Sequence, residues 1–182
     1  MLGERDVTEY TYEKLDVTQL EAALPDLADV LHGCVSIGAS VSFVLPFALA
    51  DSAAFWQQSV FPKVMQRGTI LLVARAEDRI VGTVQLLTDL PPNQTHRCEV
   101  AKLLVHPNFR KRGIATALME LLEQQARDLG KSLITLDTRS ADQAEPLYIL
   151  LDYKIAGRIP NFARAADSDR LDSTTYMYKI LD

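Results

Sequence analysis

A basic, glycine-containing turn between an apolar segment and an amphipathic one gives the strongest indication of a binding site. The segment Leu103–Val105 is apolar, the tetrapeptide Arg110–Gly113 (RKRG) follows it, and helical periodicity begins directly afterwards at Ile114. The first amides of a helix lack intrahelical acceptors and lie at the positive end of its dipole, so they attract anions. The glycine leaves the backbone accessible, and the two arginines add positive charge. This pattern predicts a site for a phosphate-bearing ligand.

Two carboxylates lie at positions where they could accept a proton from a ligand. Asp137 lies near the end of Leu133–Thr138, a predicted parallel strand, and ligands collect at the carboxyl edge of parallel strands. Because alternate residues of a strand share a face, Asp137 lies on the face of Leu133 and Thr135. Glu99 stands at the start of the preceding strand, several residues before the basic turn. Either carboxylate can accept a proton, bind a cationic ligand or pair with an arginine, and these alternatives stay open on the sequence alone.

The elements that must position these residues alternate between strands and helices. Antiparallel strands come first, and one β-α-β unit with two parallel strands follows. The predicted strands are Tyr10–Leu15, Thr69–Ala74, Ile80–Leu87, Arg97–Val105, Leu133–Thr138, Lys154–Gly157 and Thr174–Ile180, and the predicted helices are Thr18–Leu31, Asp51–Arg67, Gly113–Leu129 and Gln143–Leu151. We expect Pro25 to split or delay the first helix and Asp51 or Ser52 to cap the second. Polar residues predict a loop over Asn161–Ser173.

Length and charge limit the class of protein. With 182 residues, 48% of them hydrophobic, the chain can bury one core, and residues 1–182 are expected to form a single domain. A net charge of −5 argues against nucleic acid or an anionic membrane as a partner, so anion binding must be local. Cys34 and Cys98 have no metal-ligand spacing, and no metal site is predicted. The charged N-terminal segment lacks a signal-peptide core and no apolar stretch reaches the roughly 20 residues of a membrane span, so we expect a cytoplasmic protein.

Two motifs in register resemble those of the GNAT N-acetyltransferases. Arg110-x-x-Gly113-x-Ala115 matches the family's (Gln/Arg)-x-x-Gly-x-(Gly/Ala) signature, and Ala144–Tyr153 is similar to its Ala-x-x-Leu-Tyr-x-x-x-Gly-Phe segment. Asp152 stands where many relatives have glycine, and Ala141-Asp142 replaces an asparagine that often contacts the cofactor. The resemblance implies the α/β (α+β) GNAT fold, a mixed and mostly antiparallel sheet with one central parallel β-α-β unit and helices on both faces.

The resemblance also implies an acetyl-CoA-dependent N-acetyltransferase in which an amine attacks the thioester directly within a ternary complex. In the family, the basic turn and helix start bind the pyrophosphate, and backbone N–H groups of the preceding strand stabilise the thioester oxygen. The implied cofactor-binding residues are Leu103, Leu104, Val105, Arg110, Lys111, Arg112, Gly113, Ile114 and Ala115. Tyr148 matches the general acid that protonates the departing thiolate, and either Asp137 or Glu99 is the expected base. No metal is implied.

Other segments are similar to the tabtoxin-resistance group of this family. They are Gly38–Phe43, Glu99–Leu103, Leu136–Thr138 and the tail through Tyr176. This likeness favours a small-molecule amine as the acceptor, such as an amino-acid-like toxin or antibiotic. The acceptor pocket is expected among Gly33–Phe47, Glu99, Asp137 and Asn161–Ser173. Acetylation of a protein N-terminus or lysine, and a CoA-binding regulatory module without catalysis, are the alternatives. Dimers are common in the family, so a homodimer is compatible with the resemblance.

Overall fold

Seven strands form one sheet in a computed structural model that describes residues 9–181. Outside this range lie Asp182 and residues 1–8, the start of the N-terminal segment considered above. The strands are β1 (Tyr10–Lys14), β2 (Thr69–Ala76), β3 (Arg79–Leu87), β4 (Arg97–Val105), β5 (Leu133–Arg139), β6 (Lys154–Arg164) and β7 (Leu171–Ile180). The helices are α1 (Leu20–Ser36), α2 (Leu49–Phe55), α3 (Phe61–Met65), α4 (Ile114–Asp128) and α5 (Ala144–Leu150), and a π-helical turn, Trp56–Val60, joins α2 to α3.

The strand order is β1-β2-β3-β4-β5-β7-β6, and every neighbouring pair is antiparallel except β4 and β5. The sheet separates two hydrophobic cores, one shared with α4 and α5 and the other with α1, α2 and α3. Along β2, Leu72 belongs to the first core and Val73 to the second, as strand alternation requires. Each is fully buried, which is worth roughly 1.5–3 kcal/mol. The predicted mixed sheet with one parallel pair and helices on both faces is confirmed.

Helix α1 runs through Pro25 without a break, so the predicted interruption there is wrong. Proline removes one backbone hydrogen bond from a helix interior and costs about 3 kcal/mol. The same helix buries five side chains completely, and this packing outweighs that cost; they are Leu27, Val30, Leu31, Cys34 and Val35. None of the helices in the part of the chain that the structure describes is long and apolar enough to cross a membrane.

The second helical segment begins two residues earlier than predicted, and its cap residue is Ala48 rather than Asp51 or Ser52. Asp51 lies in the first turn and reaches back, where its carboxylate accepts a hydrogen bond from the Ala48 amide at 2.9 Å. The Ser52 hydroxyl donates to the Ala28 carbonyl oxygen at 2.7 Å and so ties α2 to α1. Both residues therefore stabilise the helix start from inside the helix.

The loop predicted over Asn161–Ser173 is wrong, because β6 and β7 continue as a ladder and leave only residues 165–170 between them. Strand β6 lies at the sheet edge and nearly all of its side chains are exposed. Its polar composition therefore reflects exposure to solvent, and a sequence pattern cannot distinguish an exposed edge strand from a loop. Register shifts accompany the left-handed backbone of Asn161 (φ +54°), and such irregularities protect an edge strand from further pairing.

Gly82 of β3 lies where the sheet meets the start of α4. A Cβ atom built on Gly82 would come within 3.0 Å of Ile114 Cγ2 and 3.3 Å of Leu118 Cδ1, besides 3.2 Å from the Leu104 carbonyl oxygen. The absence of a side chain at this position therefore sets how closely the first turn of α4 approaches the sheet. Because the helix start is the predicted anion site, this packing contact also positions that site.

We expect Gly82→Ala to lower the free energy of unfolding by about 1–3 kcal/mol, since the added methyl group overpacks this contact. Urea denaturation measures the change. Gly157→Ala is the matched control, because a Cβ built there meets no atom of the described chain within 4 Å. Equal effects of the two substitutions would show that the close approach of α4 to β3 does not exclude a side chain at position 82.

Candidate active site

The parallel strands β4 and β5 pair only over three residues each, Arg97–Glu99 opposite Leu133–Thr135. Strand β4 then continues to Val105 and β5 to Arg139, and within residues 9–181 no ladder joins these later parts. The edge of β4 that faces β5 is therefore left without a strand partner. Unpaired backbone N–H and C=O groups need other hydrogen-bond partners, so this opening can bind a ligand that carries such groups.

Strand β4 also contains a bulge at Lys102. Over the stretch in which β3 advances from Thr83 to Gln85, β4 spans Ala101–Leu104 and so carries one extra residue. Lys102 has a left-handed backbone with φ +51°. Val100 and Leu103, three positions apart, pack against the same core, which shows that the bulge shifts the alternation of side chains. The bulge thus re-aims the side chains of β4 beside the opening.

A cavity of about 600 Å³ occupies the opening between β4 and β5. Its lining comes from residues 37–42, 100–105, 109–111, 113–116, 137–139, 142–144 and 147–148. The cavity therefore brings together three features that the sequence places far apart: the start of α4, the carboxylate of Asp137 and the ring of Tyr148. Neither Glu99 nor any residue of the 161–173 segment contributes to this lining.

The start of α4 has open backbone amides. Gly113 precedes the helix with φ +80°, a conformation that favours glycine, and Lys111 is also left-handed at φ +59°. In the described chain no side chain caps the first turn, and a Cβ built on Gly113 meets no atom within 4 Å. The amides of residues 114–116 therefore adjoin free space in the cavity. This arrangement is suited to a phosphate group.

The two arginines of the turn have different positions. Arg110 lines the cavity, and its Nε donates to the Val105 carbonyl oxygen at 3.2 Å. Arg112 lies outside the lining, because its guanidinium donates to the Tyr10 hydroxyl at 3.0 Å and lies 5.4 Å from the ring centroid of Phe109. Arg110 therefore contributes charge to the site, whereas the side chain of Arg112 holds the turn against β1.

Tyr148 projects from α5 to the cavity and is only 5% exposed. Its ring meets that of Tyr153 edge to face, with centroids 5.8 Å apart. Burial raises the pKa of Tyr148, and the negative charge of Asp137 raises it further. The hydroxyl therefore keeps its proton through the physiological pH range. Among the hydrogen bonds of the described residues none involves this hydroxyl, so its proton is available to a bound molecule.

Of the two candidate carboxylates, as of the two arginines, one lines the cavity and the other lies outside it. Asp137 is exposed, lines the cavity and accepts a hydrogen bond from the Thr174 hydroxyl at 2.9 Å. Glu99 lies beside the last paired residues of β4 and β5, where its carboxylate pairs with the Arg97 guanidinium at 2.6 Å. The structure therefore brings Asp137 to the cavity and leaves Glu99 in an ion pair outside it.

Asp137 and Tyr148 approach the opening from opposite faces of the sheet. Ile134 and Leu136 of β5 belong to the core below α4 and α5, so the alternating position Asp137 faces the α1 side. Tyr148 belongs to the core below α4 and α5. A molecule in the opening is thus contacted by a carboxylate on one side and by a protonated hydroxyl on the other.

Two residues without a predicted role, Lys102 and Arg139, hold the segment 37–42 over the cavity. The Lys102 ammonium donates to the Ser42 hydroxyl at 3.1 Å, and Arg139 donates to the Gly38 carbonyl oxygen at 3.3 Å. We call residues 37–45 the cover of the cavity; the Leu45 amide at its end donates to the Ala166 carbonyl oxygen of the loop 165–170 at 2.7 Å. One signal for Lys102 was present, because it is the only charged residue in the apolar segment 100–105.

The sequence pattern of the Acetyltransferase (GNAT) family matches residues 43–151, more than half of the chain. The chain belongs to the GNAT acetyltransferase family. It is 30% identical over 142 residues to an uncharacterized N-acetyltransferase from the hisH-hisA intergenic region of Azospirillum brasilense, covering 77% of this chain and 82% of that one.

Two solved GNAT structures are similar in fold. One is a putative Salmonella typhimurium acetyltransferase, solved with its cofactor acetyl-CoA (TM-score 0.75, 18% identity, 96% of this chain and 95% of that one). The other is an aminoglycoside 6'-acetyltransferase type Ii (TM-score 0.68, 21% identity, 93% of this chain and 96% of that one). At these identities the likeness concerns the fold.

The structure explains one departure of this chain from the GNAT motifs. Asp152, which replaces the motif glycine after α5, has φ +66°. Aspartate is among the few residues with a side chain that adopt this left-handed conformation, so the turn is kept without glycine. Over residues 9–181, no three side chains of the metal-ligating types form a group that could hold an ion.

Glu145 fixes the beginning of α5 and hence the position of Tyr148 one turn later. Its buried carboxylate accepts hydrogen bonds from the Ala141 amide at 3.1 Å, the Thr175 hydroxyl at 2.9 Å and the Arg158 guanidinium at 2.5 Å. Burial alone would raise the pKa of Glu145, but these bonds together lower it below its usual value. The carboxylate therefore stabilises the fold in its ionised form.

We expect Glu145→Gln to lower the free energy of unfolding at pH 7 by about 1–3 kcal/mol, the cost of a lost charge-assisted bond. A carboxyl with a lowered folded pKa stabilises the fold above its unfolded pKa and loses this contribution as the pH falls through the folded value. The difference from the unsubstituted protein, measured by urea denaturation, should therefore shrink between about pH 5 and pH 3. Glu120→Gln, at an exposed position of α4, is the control. A difference that is independent of pH would contradict this role.

Proposed function

We propose that this protein transfers the acetyl group of acetyl-CoA to the primary amine of a small molecule, by direct attack within a ternary complex. The observation that carries the proposal is the shared cavity, in which the open start of α4, the unpaired edge of β4, Asp137 and Tyr148 meet. Acetyl transfer needs a bound donor, a polarised carbonyl, a neutral amine and a proton for the departing thiolate. Each requirement has a candidate in this lining.

The donor would bind along the opening. The amides of residues 114–116, with Lys111 and Arg110 beside them, suit the pyrophosphate of acetyl-CoA. The unpaired edge of Leu103–Val105 offers backbone groups to the amides of the pantetheine arm and an N–H group to the thioester oxygen. Arg112 contributes through the shape of the turn, since its side chain contacts Tyr10 and Phe109 instead of the cavity.

The acid and the base would act from opposite faces of the sheet. Asp137, directly or through water, takes the proton of the attacking amine, and the C–N bond forms at the thioester carbon. As the C–S bond breaks, the Tyr148 hydroxyl gives its proton to the CoA thiolate. The raised pKa of Tyr148 keeps that proton in place until the thiolate, a stronger base than the thioester, is formed.

Several observations favour Asp137 over Glu99 as the base. Asp137 lines the cavity and its carboxylate is bonded only to the neutral Thr174 hydroxyl among the described residues. Glu99 is outside the lining and its charge is compensated by Arg97. Glu99 therefore lacks both the position and the free charge to attract an amine in the cavity.

A small acceptor fits the cover of the cavity better than a protein segment does. Residues 37–42 line the cavity, and Arg139 and Lys102 hold this segment from below. The contact between Leu45 and Ala166 joins the cover to the 165–170 loop. Because these contacts hold the cover over the cavity, we propose a compact amine as the acceptor rather than an extended chain. Amino-acid-like toxins and antibiotics, as the tabtoxin-resistance likeness suggested, belong to the class that fits.

The test of the proposal is acetyl-CoA-dependent release of the CoA thiol in the presence of small amines. We expect Tyr148→Phe, which keeps the ring and deletes the proton donor, to lower kcat by roughly 10–10³-fold with unchanged acetyl-CoA affinity by calorimetry. Tyr153→Phe is the matched control, because that ring packs against Tyr148 but is absent from the cavity lining. Binding of acetyl-CoA without thiol release for any amine would instead support a non-catalytic CoA-binding module.

The choice of base is tested by Asp137→Asn and Glu99→Gln together. We expect Asp137→Asn to lower kcat/KM for the amine by about 10²-fold or more, with little change in acetyl-CoA affinity. Glu99→Gln should cause the smaller loss. A larger loss for Glu99→Gln in a folded variant would assign the base to Glu99 and overturn the role given to Asp137.

A further inference from the structure

Lys102 is a cavity-lining cation whose donors are only partly used. Its ammonium donates to the Ser42 hydroxyl at 3.1 Å and lies 6.0 and 5.8 Å from the ring centroids of Phe43 and Phe55. Within residues 9–181 no carboxylate lies within 4 Å of this ammonium. An ammonium has three donors, so this group needs further acceptors from solvent or from a bound molecule.

The part of the cavity lined by the segment 37–42, Lys102 and Asp137 is here called the acceptor side. Among residues 9–181, only one carboxylate of its lining has no ion pair. Arg139 lines the cavity, but its guanidinium pairs with Asp142 at 2.9 Å and with Asp172 at 3.6 Å. Asp137 has only the Thr174 hydroxyl as a hydrogen-bond partner in the described chain. The acceptor side thus presents one unpaired ammonium, that of Lys102, and one unpaired carboxylate, that of Asp137.

We propose that Lys102 binds a carboxylate of the acceptor and that the acceptor class is therefore amino acids, with the amine at Asp137 and the carboxylate at Lys102. This inference rests on the proposed acetyl transfer and names its substrate class. The complementarity is direct, since a zwitterion carries one charge of each sign. The aromatic rings of Phe43 and Phe55 favour the charged ammonium, and its partial burial strengthens an ion pair formed there.

The backbone explains why this lysine reaches the cavity. Lys102 is the extra residue of the β4 bulge and has φ +51°. On a regular strand its side chain would point to the face opposite that of its two neighbours. At the bulge the side chain instead extends toward Ser42 on the cover. Partial burial lowers the pKa of Lys102, and the charge of Asp137 opposes this effect. An acceptor carboxylate would compensate a charge that now has only partial compensation.

The same arrangement disfavours two other acceptor classes. A polyamine or an aminoglycoside brings further positive charges, which Lys102 repels. A peptide N-terminus has a neutral amide in place of the carboxylate, so Lys102 would gain no ion pair from it. The carboxylate itself is therefore the group to vary in an experiment.

The experiment measures kcat/KM for L-α-amino acids and for their α-carboxamides, with the unsubstituted protein and with Lys102→Met. Methionine keeps an unbranched stem at this backbone position and removes the charge. We expect the ratio of kcat/KM for acid over carboxamide to fall by about 10–100-fold in Lys102→Met, the effect of losing one charge-assisted contact. Because the ratio is compared between two proteins at one pH, the different basicity of the two amines cancels.

Two further variants control this measurement. Lys102→Arg should keep most of the preference for the acid, since it keeps the charge, and Lys63→Met, at an exposed position of α3, should leave the ratio unchanged. The inference is overturned if Lys102→Met leaves the ratio unchanged, or if it raises the KM of acetyl-CoA and not that of the acid. Release of CoA with amines but without any effect of Lys102 would refute the substrate class alone. An absence of release with every amine would refute the proposed transfer, and this inference with it.

Discussion

The site depends on the point at which β4 and β5 stop pairing. Two parallel strands that share three residues of ladder and then separate leave a row of backbone groups without partners at the centre of the sheet. Such groups cost about 1–3 kcal/mol each when they are buried and unsatisfied. They remain acceptable here because the opening is a cavity, where solvent or a ligand with amide groups can bond to them. The central parallel pair thus joins the two halves of the sheet and, where it ends, leaves the unpaired edge of β4.

The surrounding elements maintain this separation from both faces. On one face, the close contact of Gly82 with Ile114 fixes the start of α4 beside the end of β4, so that the helix amides adjoin the opening. On the same face, Glu145 fixes α5 and directs Tyr148 toward the opening. On the other face, the segment 37–42 closes over the cavity and is held by Lys102 and Arg139. Tyr148 and Asp137 therefore differ in environment, the first buried and the second exposed, although both line one cavity.

Much of this arrangement follows from local sequence patterns. The order of the elements, the parallel pair and the start of α4 could be predicted because hydrophobic periodicity and a glycine-containing turn act over short distances. The continuation of α1 through Pro25 and the length of the edge strand β6 could not be predicted locally. Burial of α1 outweighs the low helix propensity of proline, and the exposure of β6 gives a strand the polar composition of a loop. The roles of the charged residues are harder to predict from the sequence than the secondary structure is. Glu99 and Arg112 have suitable types and positions, yet their partners, Arg97 and Tyr10, direct them away from the cavity, and only tertiary contacts reveal these pairs.

The distribution of charge explains how an acidic chain can favour anionic groups at its centre. The net charge of −5 is spread over the whole sequence, whereas the cavity has two positive regions, one at Arg110 and Lys111 beside the helix start and one at Lys102. Neither has a carboxylate within 4 Å among the described residues, while Arg139 nearby is neutralised by two aspartates. Unpaired cations in a partly enclosed space act strongly on a ligand because solvent screens them little. The first region suits the phosphates of a donor and the second a carboxylate on an acceptor, with Asp137 between these roles as the one group that attracts an amine.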